Sequence, residues 1–185
     1  MRKHLVFSTK NSKGWADLPL GYFLYRFLIS LCFMVACLKG HSQSILHGKA
    51  IRILDGDTFE LLIDNKTSYK VRLTDIDAPE KKQDFGTVAK QKLASYIMGK
   101  EVTVKYRKFD RSKRILGHVY YQNQSINLEM VAEGLAWHFT KYSSDQRFAR
   151  AEQRARQLKK GLWIQPHPVA PWDYRSQKQK NIRHP

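Results

Sequence analysis

The run RLTDIDAPE, residues 72–80, gathers Asp75, Asp77 and Glu80 behind Arg72, and DGDTF a little upstream adds Asp55 and Asp57. Like charges this dense repel, and each disfavours ionisation of the next. A fold tolerates them when something neutralises them, and a hard cation would do so. The donors are all oxygens and no histidine pair stands at a zinc-like spacing, which points to calcium or magnesium rather than zinc or copper. Asp57 and Asp77 are the candidate ligands, each at a strand edge or turn where a carboxylate projects beside its neighbour. Pro79 fixes the chain next to Ala78 and can aim the Ala78 carbonyl inward. Asp55 reads as a turn residue and Asp75 as a solvated side chain. Taken alone, Asp-Gly and Asp-Ala-Pro are ordinary turn sequences.

Short strands must position these residues. Phe59, Leu61 and Ile63 alternate with Thr58, Glu60 and Leu62, and DNK at 64–66 suits a hairpin turn before a strand with Val71 and Leu73. Val102, Val104 and Tyr106 alternate again, and Ile115–Tyr121 makes a further strand before the polar turn QNQ. Ala89, Leu93, Tyr96 and Ile97 recur at helical spacing, with Gly99 as the stop. Asn127 is expected to cap a short helix carrying Leu128, Val131 and Ala132, closed by Gly134. Phe148, Ala151, Ala155 and Leu158 mark one face of a longer helix, with Lys159, Lys160 and Gly161 at its end. Five strands with a helix between the third and fourth predict an α+β, predominantly β fold: a five-stranded OB-fold barrel with about three flanking helices.

The rest of the composition narrows the partners. The chain has 185 residues, with 33 Lys and Arg against 16 Asp and Glu. An excess of that size favours polyanions, either nucleic acid or an anionic membrane surface. Most of it lies beyond residue 44, where 27 basic residues face 15 acidic ones. Residues 1–44 are a different material: Arg2, Lys3, Lys10, Lys13 and Arg26 precede the apolar run Phe27–Leu38. That run is shorter than the roughly 20 residues of a membrane span. It has the length of a signal-peptide core, with Ser42 and Ser44 offering cleavage after Ser44 and export to the periplasm or medium. An uncleaved membrane anchor is the alternative, and MVAC ending at Cys37 weakly resembles a lipoprotein box. Both cysteines, Cys32 and Cys37, lie here, so a chain cut after Ser44 has none, which excludes disulfides and cysteine-based zinc sites. The expected organisation is a leader or anchor at 1–44, the barrel domain at 45–165, and an extended basic tail at 166–185 from which Trp172 can pack back.

DGDTFEL followed by VRLTDIDAPE resembles the staphylococcal-nuclease-like (thermonuclease) family. So do FGTVAKQ at 85–91, EGLAW at 133–137 and GLW at 161–163 after an Ala- and Arg-rich helix, all in the family's order over about residues 45–165. PWDYR at 171–175 is similar to tails on other bacterial members. The resemblance implies a calcium-dependent endonuclease, a hydrolase of DNA and RNA of low sequence specificity that leaves 3′-phosphates. It implies Asp57, Asp77 and the Ala78 carbonyl as calcium ligands, Glu80 as general base, and Arg72 and Arg114 as phosphate-binding arginines. Arg111 and Tyr142 are expected to touch substrate, and a monomer is expected. The chain departs from the family at Ser112-Lys113, where Tyr-Gly is usual, and at Thr140, where some members carry tyrosine.

Two other classes compete. A non-catalytic OB-fold module binds strands without cutting them, but such a module is expected to lose metal or base residues, and this chain keeps Asp57, Asp77 and Glu80. A membrane-surface protein would use the charge for lipid and leaves the carboxylates unexplained.

Overall fold

In the computed structural model, residues 25–26, 43–64 and 66–183 are described. The apolar run Phe27–Leu38 and both cysteines fall outside them, and among the described residues no helix is long and apolar enough to cross a membrane.

Among the described residues eight strands form in chain order: β1 (Ser44–Ile53), β2 (Thr58–Ile63), β3 (Thr67–Leu73), β4 (Ile76–Asp77), β5 (Glu101–Phe109), β6 (Ile115–Tyr121), β7 (Gln124–Ser125) and β8 (Trp137–His138). The apolar alternation puts Phe59, Leu61, Val71, Leu73, Val102, Val104, Ile115 and Val119 in one buried core, as side chains on every second strand residue must share a face. β1 is the longest strand. Ser44–Lys49 pairs with β5 and Lys49–Ile53 with β2, with a register break between Ala50 and Arg52. A bulge there bends the strand and lets it serve both neighbours. The order β3-β2-β1-β5-β6 is then closed by a parallel β3–β6 ladder, Val71 to Ile115 through Leu73 to Gly117. The result is the expected five-stranded OB-fold barrel.

Within residues 66–183 the helices are α1 (Gly86–Ile97), α2 (Ile126–Ala132), α3 (Gln146–Gln157) and α4 (Pro171–Arg183), with a 3₁₀ turn at Gly161–Ile164. Ala89, Leu93 and Ile97 of α1 and Ile126, Met130 and Val131 of α2 join the barrel core. Gly134 and Gly161 adopt φ of +66° and +54°. A β-carbon on Gly134 would meet the Lys160 carbonyl at 2.2 Å, and one on Gly161 the Gly134 carbonyl at 2.3 Å. Only glycine permits both the left-handed turn and this approach. The Leu162 N–H seals it on the Gly134 carbonyl at 2.9 Å.

Three sequence expectations change. Ser125, not Asn127, caps α2, accepting from the Leu128 N–H. Asn127 is fully buried and pins the barrel instead, accepting from the Val119 N–H (2.8 Å) and donating to the Thr74 and Gly117 carbonyls (2.9 and 3.1 Å). Leu158 leaves the buried face of α3 and is exposed, since the helix ends at Gln157 before completing that turn. Residues 171–183 are not extended but form the helix α4, which reaches the carboxylate cluster. Pro171 at its first position and Asp173 in its first turn are ordinary helix-start residues.

Candidate active site

The loop from Leu54 to Thr58 is tied by two bonds to the Thr58 carbonyl, from the Leu54 N–H at 2.9 Å and the Asp55 N–H at 3.3 Å. It ends with Asp57 beside β3, where Thr58 pairs with Arg72 across the ladder and the Leu73 N–H donates to the Asp57 carbonyl (2.8 Å). Asp77 is delivered separately. Its two-residue strand β4 pairs with β8, Asp77 opposite Trp137. The same pairing draws in the segment after β8, as the Phe139 N–H donates to the Asp75 carbonyl at 2.9 Å.

Asp57 and Asp77 meet over Arg72. The Asp57 carboxylate forms an ion pair with Arg72 Nη1, and it also accepts from the Thr58 hydroxyl (2.9 Å) and the Ala78 N–H (3.0 Å). Arg72 Nη2 donates to Asp77 Oδ1 at 2.7 Å. Both carboxylates are buried, Asp77 to 1% side-chain exposure. Burial pushes the Asp57 carboxyl up, but Arg72, the Ala78 N–H and the Thr58 hydroxyl outweigh it and hold it below the ordinary carboxylate value. Burial also leads at Asp77 and leaves it raised, although the Arg175 hydrogen bond and the Arg72 charge oppose the shift. Asp55 is pushed up to about 6, first by burial and then by the Asp57 charge. It accepts from the Asp57 N–H at 3.0 Å, as a turn aspartate does.

Glu80 is placed by the turn before α1. Its carbonyl accepts from the Gln83 N–H (2.8 Å), and its own N–H donates to Gln83 Oε1 (3.1 Å). A β-carbon on Gly86 would lie 2.0 Å from the Glu80 carbonyl, so glycine is needed to bring α1 against this turn. Arg114 arrives through the barrel closure: β3 and β6 run parallel with Val71 opposite Ile115, and Arg114 directly precedes Ile115 at the start of that ladder. Asp110 organises its loop, accepting from the Ser112 N–H (2.8 Å), the Arg114 N–H (2.9 Å) and Arg114 Nε (2.8 Å). Lys113 holds φ at +58°. The loop thus adopts a left-handed turn without the glycine that accommodates it most easily.

One open cleft of about 780 Å³ is lined by Asp57, Arg72, Asp77, Ala78, Glu80, Arg114, Thr140 and Tyr142, together with Asp55, Pro79, Phe139, Lys141, Trp172 and Arg175. Arg111 is exposed in its loop and does not line the cleft. Tyr142 is 67% exposed at the rim, its ring edge-on to Phe139 at 4.9 Å. Asp75 is not solvated: it faces His118 Nε2 at 3.2 Å.

Asp110 and Arg175 carry weight that the sequence did not announce, and Trp172 packs back onto the domain as expected. Asp110 holds Arg114. Trp172 stacks on Phe139, centroids 5.3 Å apart and planes 7° from parallel, and meets Trp137 edge-on at 5.6 Å. Arg175 reaches from α4 to Asp77 Oδ2 and Glu80 Oε1, both at 2.7 Å. The usable signal was PWDYR itself, where an aromatic and an arginine follow a helix-starting proline.

The donor chemistry fits a hard divalent cation. Every candidate ligand is an oxygen, the carboxylates already share cations, and the cleft is open to solvent. Among the described residues, no three His, Cys, Asp or Glu side chains converge as a ready-made metal cage. Guanidinium groups stand between the carboxylates instead. Ala78 enters through its N–H rather than through a contact of its carbonyl.

The chain matches the family described as "Staphylococcal nuclease homologue" over residues 70–165. It is 43% identical over 134 residues to a protein named "Uncharacterized endonuclease" from Escherichia coli, a match covering 72% of this chain and 87% of that one. A protein of the same name from Haemophilus influenzae is 39% identical over 155 residues, 84% of this chain and 87% of its own. The "Micrococcal nuclease" of Shigella flexneri is 41% identical over 139 residues, 69% of this chain and 79% of its own. The chain therefore belongs to the staphylococcal nuclease family.

Proposed function

We propose that this protein is a calcium-dependent nuclease that hydrolyses phosphodiester bonds of DNA and RNA with low sequence specificity and leaves 3′-phosphates. The observation that carries the reading is the convergence of Asp57, Asp77, Glu80, Arg72 and Arg114 on one cleft of a basic OB-fold barrel. Asp57 and Asp77, with the Ala78 carbonyl, would hold calcium. When bound it supplies positive charge toward the phosphate oxygens.

The chain's own residues do the rest. Arg114, beside Arg72 and less constrained, offers a planar fork to two phosphate oxygens. Arg72 brings fixed positive charge to the floor of the cleft and stabilises the five-coordinate phosphorus. Glu80, on an anchored turn, takes a proton from the attacking water. The water oxygen bonds to phosphorus, the bond to the 5′ oxygen breaks, and that oxygen leaves to be protonated from solvent. Tyr142, exposed at the rim, offers a ring face to a base, which tolerates any sequence because every base has one. The N-terminal segment directs export to the periplasm or medium, with anchoring as the alternative, and the protein acts as a monomer.

The test is incubation of the purified protein with single- and double-stranded DNA and with RNA, in calcium or in chelator, with end-group mapping of the products. Calcium-dependent cleavage leaving 3′-phosphates is expected. Glu80→Gln is expected to bind uncut DNA as wild type does while losing turnover by roughly 100-fold or more. Tight binding with no cleavage in any divalent metal would make the chain a binding module. Recovery of protein beginning near Ile45 supports export, and intact chain in the membrane fraction supports the anchor.

A further inference from the structure

The cations that neutralise the carboxylates in this structure are two arginines from different places in the chain. Arg72 lies on β3, its side chain only 15% exposed and shared between Asp57 and Asp77. Arg175 lies on α4 with a side chain 40% exposed. It covers both oxygens of Asp77, Nη2 on Oδ2 at 2.7 Å and Nη1 on Oδ1 at 3.3 Å, and bridges to Glu80 Oε1 at 2.7 Å. A cation ligated by Asp77 and a guanidinium forked over the same carboxylate claim the same lone pairs, and their like charges repel at that distance.

The helix does not depend on this contact for its position. Trp172 docks on Phe139 and Trp137, the Tyr174 hydroxyl donates to the Lys82 carbonyl (3.2 Å), and Gln83 Nε2 donates to the Val169 carbonyl just before the helix (2.7 Å). The guanidinium can therefore leave Asp77 while α4 stays in place. Arg72, enclosed by the barrel, cannot leave in the same way.

We infer that Arg175 is a built-in competitor for the metal: its guanidinium holds the cation position at Asp77 and Glu80 in the metal-free protein, and a divalent cation binds Asp77 only by displacing it. α4 thereby sets the metal affinity of the site. Coupling of this kind is reciprocal, so whatever Arg175 takes from the metal's affinity, the metal takes from Arg175's hold on Asp77. The inference rests on the reading that Asp57 and Asp77 hold the metal.

The experiment is calorimetric titration of calcium into the full chain, as wild type, Arg175→Gln, Arg175→Ala and Arg175→Lys, at fixed pH and ionic strength, with thermal melts in chelator and in saturating calcium. Arg175→Gln and Arg175→Ala are expected to bind calcium more tightly, by roughly 5- to 150-fold, with Arg175→Lys in between. In chelator the wild type is expected to melt above Arg175→Gln, and the gap to shrink in calcium. Arg175→Gln keeps most of the side chain, so a folded variant remains if Arg175→Ala does not fold. Wild type and both neutral variants binding calcium equally well would overturn the competition and leave the metal reading intact. Weaker binding by the variants would overturn it too, since Arg175 would then assist the metal. If none of the proteins binds calcium, the metal reading fails and this inference fails with it.

Discussion

Two kinds of arginine meet in the cleft, and they differ in what holds them. Arg72 is part of the barrel wall: it is mostly buried, paired with two buried aspartates, and fixed by the β2–β3 ladder. Arg114 stands at the end of a loop, 32% exposed and tied to Asp110 four residues before it. The first neutralises charge that the fold itself has buried. The second is held loosely enough to be handed to a ligand. A buried ion pair is costly to break because the surviving charge stays desolvated, whereas an exposed pair is worth about 0–1 kcal/mol. Position in the fold, rather than residue type, separates a stabilising arginine from an available one.

The sharpest break of this contrast is replacement of each arginine in turn. Arg72→Met leaves Asp57 and Asp77 without their shared partner and is expected to cost about 3–5 kcal/mol of stability, read by chemical denaturation. Arg114→Met is expected to cost no more than about 1 kcal/mol. Turnover is expected to fall for both by roughly 100- to 1000-fold, even as Arg72→Lys and Arg114→Lys, because lysine keeps the charge but loses the fork. Near-full turnover of Arg114→Lys would show that the loop does not deliver Arg114 to the phosphate. Equal stability losses for the two methionine variants would erase the contrast itself.

A smaller effect is expected at Asp110, which collects three N–H donors from the loop. Asp110→Ala is expected to cost about 1 kcal/mol near neutral pH and to lower turnover by loosening Arg114. Burial pushes the Asp110 carboxyl up, but the Arg114 backbone and side-chain bonds outweigh it and leave it below the ordinary value near 3.8. A carboxylate lowered in the folded state stabilises it above the unfolded pKa and loses that contribution as pH falls through the folded one. The difference between wild type and Asp110→Ala should therefore be full above about pH 5 and disappear in stronger acid. Denaturant melts at several pH values check it, and a difference that grows on acidification would contradict the assignment.

The smallest effect is expected at Lys113, whose φ of +58° suits glycine better. Lys113→Gly is expected to stabilise the protein by about 0.5–1 kcal/mol in the same melts and to leave the Asp110–Arg114 bonds in place. A loss of stability would mean that the lysine side chain compensates for the strain.

Much of this molecule could be read from local pattern. Alternating apolar residues 59–63, 71–73, 102–106 and 115–119 define strands with one buried face, because side chains alternate across a strand whatever surrounds it. Gly99 and Gly134 follow their helices in the left-handed conformation because such a residue favours glycine in any fold, whereas α3 ends with Lys159 in that conformation and Gly161 opens the next turn. Asp57, Arg72, Asp77 and Glu80 were recognisable together because two short segments carry all four and a single hairpin joins them.

What only the tertiary structure decided are the partnerships between distant residues. Arg114 reaches the cleft because the parallel β3–β6 ladder closes the barrel, a pairing with no local signature. Asn127 looks like a cap from its neighbours and is a buried clamp because Val119, Thr74 and Gly117 converge on it. Arg175, nearly a hundred residues beyond Asp77, supplies the counter-charge that the carboxylate cluster demands. Local sequence specifies that such a charge must exist, since like charges cannot be gathered unpaired. Which cation answers is settled by long-range packing, here by Trp172 on Phe139, because electrostatic partners are chosen by distance in space and not along the chain.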